Sequence, residues 1–144
     1  MTSWLRGPAQ AVLGGFLVLA GTAHLTVARE EFRAQVPPWV PLDVDLVVLL
    51  SGVVEIAVGA ALLLAWQYPL RAVVGAGAAA LFVAVFPGNI AQLTEHRDAF
   101  GLTSDTSRAV RLVFQPVLVV WAVWSTGAWR WWRRRRVPPP EQHA

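Results

Sequence analysis

Four apolar stretches, each close to the ~20 residues that cross a ~30 Å hydrocarbon core as a helix, leave this chain few ways to fold. They cover residues 8–27, 44–66, 70–93 and 109–132. Lipid offers no water to satisfy a backbone N–H or C=O, so each stretch reads as an α-helix. The segments between them break the pattern. Residues 28–43 carry Arg29, Glu30, Glu31 and Arg33, then Pro37, Pro38 and Pro41, which lack the N–H a helix needs. Residues 67–69 make a tight turn, and residues 95–108 are polar around Gly101. Residues 137–144, with Pro138, Pro139 and Pro140, are expected to form a disordered tail. The predicted fold is all-α: one integral membrane four-helix bundle over residues 1–136.

Composition agrees with this reading. The chain is 56% hydrophobic and 15% charged, where soluble domains average roughly 25% charged residues. A soluble core in 144 residues would struggle to hide that much apolar surface. There is no cysteine, which excludes disulfides, thiolate metal sites and dithiol redox chemistry on this polypeptide. The first stretch has a second reading as a cleaved signal peptide, with Arg6 before it and a small-residue site near Ala23. Its length, and the patterned loop that follows, favour a membrane span.

All basic side chains are arginine, and their placement predicts orientation. Arg6, Arg71, Arg130, Arg133, Arg134, Arg135 and Arg136 share one end of a four-span bundle with a single acid, Glu141. Arg29, Arg33, Arg97, Arg108 and Arg111 share the other with seven acids. Arginine excess marks the cytoplasm, so both termini are expected inside. The lysine-free, Ala/Val/Gly-rich composition suits a GC-rich bacterial genome, hence a multi-pass inner-membrane protein. The arginine run after residue 129 reads as a membrane anchor rather than a nucleic-acid patch. Eight tryptophans, most of them near span ends, read as an interfacial aromatic belt.

Glu55 interrupts the second stretch about 11 residues in, roughly 16 Å deep at 1.5 Å per residue. A carboxylate facing lipid there would cost several kcal/mol, so it should face the bundle, protonated or partnered. Ser51 lies one turn away on the same face. His24, Asn89 and Gln92 lie near the ends of their spans on that side, and Arg111 and Gln115 near the start of the fourth. The expectation is a ligand-binding polar pocket built from His24, Ser51, Glu55, Asn89, Gln92, Arg111 and Gln115. In it an Arg111–Glu55 pair, direct or through Gln115, neutralises both charges. The structural alternative is that these side chains only hold helices together, at ~1 kcal/mol or less each. Arg108 reads as a surface residue. Phe86, Pro87, Gly88 and Asn89 read as a helix break that aims Asn89 inward. Gly52, Gly59, Gly75 and Gly77 read as close-approach positions. No metal site, phosphate loop or catalytic triad can be assembled from the sequence.

Several segments together resemble one family. They are Gly21, Thr22, Ala23 and His24; Glu31 and Phe32; residues 36–41; residues 51–59, with Ser51, Gly52, Glu55 and Gly59; Phe86, Pro87, Gly88, Asn89 and Ile90; then Arg111 and Gln115. In order and spacing the chain resembles the DoxX-like group of small four-helix bacterial membrane proteins. Gly88 and Leu25 depart from that pattern, which often has Ala and Phe there. The resemblance implies a membrane subunit of an oxidoreductase system, with a quinone as one candidate cofactor. Other relatives are tied to oxidative-stress complexes or act as assembly factors. The expected function is an accessory subunit holding a quinone, lipid or other small hydrophobic ligand in a pocket open to the extracytoplasmic side, beside a redox partner. The alternatives are a chaperone for other membrane proteins and a small proton-coupled transporter.

Overall fold

The computed structural model describes residues 3–136 as six helices, with no strand among the described residues. They are α1 (Ser3–Leu25), α2 (Arg29–Arg33), α3 (Val44–Leu64), α4 (Leu70–Thr94), α5 (Asp105–Thr126) and α6 (Ala128–Arg136). The expected tail at 137–144 lies outside the described residues. Four of the helices, α1, α3, α4 and α5, are long and apolar enough to cross a membrane. Their outward faces carry Leu19, Val53, Val83, Val113 and Val120, each more than half exposed. Water would disfavour such a surface, whereas contact with a lipid bilayer suits it.

Helix boundaries follow local chemistry. Asp43 caps α3 by accepting from the Leu46 N–H at 3.0 Å. Ser104 does the same for α5 through the Ser107 N–H at 3.2 Å, so that helix starts at Asp105 rather than at 109. Gly127 ends α5 in the left-handed region, φ 75°, where a side chain would be strained. The fourth stretch therefore does not run through to 132; it stops at Thr126, and α6 follows. α1 begins at Ser3, not at 8, and takes Pro8 into its early turns. Residues 29–33, expected as loop, form the single-turn helix α2. Pro87 does not break α4, which continues to Thr94. Only one backbone bond is lost at a proline, and the surrounding turns hold.

The four long helices form two tight pairs, α1 with α3 and α4 with α5, joined mainly through α1 and α5. Glycines set the first pair. A methyl group at Gly59 would lie 2.7 Å from the Gly14 carbonyl oxygen, so no larger residue fits that approach. One such approach at Gly59 and a second at Gly52 lie seven residues apart on α3. Gly75 likewise faces Thr126 across α4 and α5. Gly77 was expected at a contact but faces open space. The buried core lies between the pairs and comprises Leu13, Leu17, Leu62, Ala78, Phe82 and Ala122. Gln10, fully buried, ties α1 to the end of α3 by donating to the Leu62 and Ala65 carbonyls at 2.7 and 2.9 Å.

Candidate functional site

Beyond that core, toward α2, the two helix pairs part around a cavity of about 760 Å³. Leu13, Leu17 and Phe82 belong to both, so the core is its floor. Its walls are mostly apolar: Phe16, Val48, Val85 and Leu118 line it along with Trp121. Trp121 was expected in the interfacial belt. It is instead half-buried and donates its indole N–H to the Ala9 carbonyl at 2.9 Å, tying α5 to α1. Trp4, Trp39 and Trp129 are mostly exposed, as a belt residue would be.

The segment after α1 closes over the far end. Phe32, Gln35, Val36 and Pro37 line the cavity from this cap. Arg29 forks onto the Asp45 carboxylate, with its shorter bond at 2.8 Å. Arg97 donates to the Ala34 and Val36 carbonyls at 3.2 and 3.0 Å. The Phe100 N–H donates to the Glu31 carboxylate. The Phe100 ring meets Phe32 edge-on with centroids 4.7 Å apart, and Phe32 stacks on His24. Gly88 lets the cap approach α4, because a methyl there would lie 2.8 Å from the Gln35 carbonyl oxygen.

Six of the seven sequence-predicted site residues line this one cavity: His24, Ser51, Glu55, Asn89, Arg111 and Gln115. Gln92 does not. It is buried behind the wall, where its side-chain oxygen accepts from Gln35 Nε2 at 3.3 Å and helps hold the cap. Ser51 donates to its own helix at the Val48 carbonyl, 3.0 Å away.

The charge arrangement differs from the expected one. Glu55 is buried beside His24, with Nδ1 3.1 Å from Oε2. The same Nδ1 lies 2.9 Å from the Ala20 carbonyl and is better aligned on it, so Oε2 is close to a nitrogen yet receives no well-directed hydrogen bond. Arg111 forms no pair with Glu55. Its guanidinium sits 4.8 Å over the Phe100 ring, half-buried at the cavity wall, and it has no carboxylate partner among the described residues. Gln115 does not relay between them either. It accepts from Asn89 Nδ2 at 2.9 Å and donates to the Phe82 carbonyl at 2.7 Å, stitching α5 to α4. The Phe82 carbonyl lies one residue before Val83, whose usual helical donor Pro87 cannot provide.

Arg108, read from sequence as a surface residue, is 5% exposed. It pairs with Asp98 and with Asp105 (2.7 Å), and donates to the His96 and Arg97 carbonyls. It organises the α4–α5 loop that presents Phe100. A basic residue in the first turn of a helix, three positions after an acid, was the available signal. The residues that sequence reasoning missed, Phe32 and Gln35 in the cap and Phe100 in the α4–α5 loop, sit in segments with no hydrophobic period to reveal which side faces inward.

The chain matches one family model over residues 13–126, described as a domain of unknown function (DUF8561). No curated protein and no solved structure matches it. The resemblance to the DoxX-like group is thereby overturned, since the matching family is a different one. The structure gives the physical reason the motifs misled. Gly21, Gly52 and Gly59 serve close helix packing, and Gly88 makes room for the cap. Small bundles of apolar helices need such residues whatever their descent.

Proposed function

The chain belongs to the DUF8561 family, and on that footing we propose that it is a membrane-embedded binding protein for a small, mostly apolar molecule with a hydrogen-bond-accepting head. The cavity between the helix pairs carries this reading. At about 760 Å³ it lies within the ~300–1,000 Å³ of small-molecule sites. Apolar walls suit a ring or an acyl chain. Arg111, facing that space without a carboxylate partner among the described residues, offers donors to a carbonyl, carboxylate or phosphate oxygen. A quinone or a lipid has such a head. The redox-subunit role rested on the DoxX-like resemblance and has no support of its own.

The membrane reading rests on the four long apolar helices and their exposed apolar faces. The arginine excess at the end opposite the cap orients that end to the cytoplasm and the capped cavity outward.

Native mass spectrometry from lipid nanodiscs tests the proposal on wild type, Ala20→Phe and Arg111→Gln. Ala20 lines the cavity, and phenylalanine there takes up part of its volume and obstructs a bound molecule. A defined small molecule on wild type, absent from Ala20→Phe and weakened in Arg111→Gln, is the expected result. No bound molecule on any of the three, with Ala20→Phe as stable as wild type, would sink the binding reading.

A further inference from the structure

At the end of the bundle away from the cavity, three arginines from three helices converge. Arg6 comes from α1, Arg71 from the first turn of α4 and Arg130 from α6. Arg71 has the guanidinium groups of Arg6 and Arg130 as its charged neighbours. Arg6 and Arg130 flank Gly127, their nitrogens 4.0 and 3.4 Å from where its methyl would be. α6 packs against α4, so the left-handed turn at Gly127 is what delivers Arg130 to Arg71.

This cluster is under-compensated. Every acid among the described residues lies at the cap, in the α4–α5 loop, in the first turn of α3 or α5, or at Glu55. Arg71 donates from Nη2 to the Ser125 carbonyl at 2.6 Å. A helix C-terminus such as that of α5 supplies only about half a negative charge, against three positive ones. Arg71 also lies at the N-terminus of α4, the positive end of that helix, where a cation is disfavoured. The Nε atoms of Arg6 and Arg71 are buried with no hydrogen-bond partner among the described residues. Among the described residues, three cations are gathered here and buried donors are left unfilled with no anion to meet them.

We propose that Arg6, Arg71 and Arg130 form a binding site for a phosphate group, supplied by an anionic phospholipid headgroup or by free phosphate. Guanidinium forks match phosphate oxygens in geometry and charge. The site lies at the ends of the apolar helices, at headgroup depth for a chain that spans a bilayer. It is separate from the cavity, so it stands or falls independently of what the cavity holds.

The test uses the full chain in detergent, with thermal unfolding and native mass spectrometry as readouts. Added phosphatidylglycerol, phosphatidylcholine and inorganic phosphate are the three probes. Variants are Arg71→Gln, Arg6→Gln and the double variant Arg133→Gln with Arg134→Gln. Phosphatidylglycerol is expected to bind wild type as a discrete adduct and raise its unfolding temperature. Arg71→Gln and Arg6→Gln should each weaken it about tenfold, the loss expected for one charge-assisted contact. Arg6→Gln keeps the bond to Ser125 and so separates binding from folding. The double variant, which leaves the cluster intact, should bind as wild type does. Equal stabilisation by inorganic phosphate assigns the site to the free ion, and its absence assigns it to the lipid. The proposal is overturned if phosphatidylglycerol and phosphate both fail to bind. It is overturned equally if the double variant loses as much affinity as Arg71→Gln, because general surface attraction then explains the binding.

Discussion

A methyl group on Gly21 would lie 2.5 Å from the carbonyl oxygen of Gly52, so α1 and α3 touch backbone to backbone at that point. Gly14 and Gly59 repeat the contact two turns further along. Because backbone cannot give way as a flexible side chain can, Gly21→Ala should force the helices apart. We expect it to cost about 1–3 kcal/mol, the range of overpacking in a filled core. Gly77→Ala is the control: nothing lies within 4 Å of its added methyl, and removing a helical glycine should stabilise by roughly 0.5–1 kcal/mol. Thermal unfolding in mild detergent followed by circular dichroism checks both. Equal behaviour of the two variants would contradict the glycine contact.

Asn89 and Gln115 should be energetically coupled. Each removed alone leaves the other with a buried polar group missing its partner, whereas removing both leaves none of their mutual bond to lose. A double-mutant cycle with Asn89→Ala and Gln115→Ala is expected to give a coupling of about 0.5–1.5 kcal/mol, the range for polar contacts between membrane helices. Strict additivity would show that the contact contributes nothing.

Arg108→Met should loosen the α4–α5 loop more than it destabilises the bundle. Breaking a fully buried ion pair costs about 3–5 kcal/mol, but here the partner carboxylates of Asp98 and Asp105 are 68% and 61% exposed and return to water. The expected loss is therefore about 1–2 kcal/mol. Hydrogen exchange should rise in residues 95–104 and stay unchanged in α1 and α3. Uniformly faster exchange through every helix would argue instead for global destabilisation.

Gly88→Leu should lift the cap. Its side chain would meet the Gln35 carbonyl, which is backbone and part of the segment closing the cavity. Faster hydrogen exchange in residues 28–41, with α4 still helical, is the expected signature. Unchanged protection there would mean the cap does not rest on Gly88.

The sequence made the spans legible because lipid-length apolar runs have one backbone solution. α3 and α4 start where expected, and their ends shift by no more than two residues. Glu55 was singled out by the same logic, since a charge in an apolar run must be accounted for, and His24 as a polar group near the end of its span. What stayed hidden depends on pairing between distant residues. Sequence spacing places Glu55, Arg111 and Gln115 at similar depth but says nothing about rotation of one helix against the next. Glu55 turned out to face His24, while Gln115 engages Asn89. The cap was opaque for another reason: from Arg29 to Pro41 its order comes from contacts to residues 45, 88, 92, 97 and 100, all of them remote in sequence. Gly14 and Gly21 could have been recognised, because they repeat the seven-residue spacing of Gly52 and Gly59 on the helix that runs antiparallel to theirs.

Arg97 holds the cap by main-chain oxygens, those of Ala34 and Val36, rather than by side chains. A latch of that kind does not read the identity of the residues it grips. Positions 34 and 36 can therefore exchange side chains, and so reshape the roof that Val36 lends to the cavity, without unfastening the roof from the bundle. Fastening and lining are thus assigned to different atoms of the same short segment, so the inner surface of the roof can change while its attachment to the bundle stays the same.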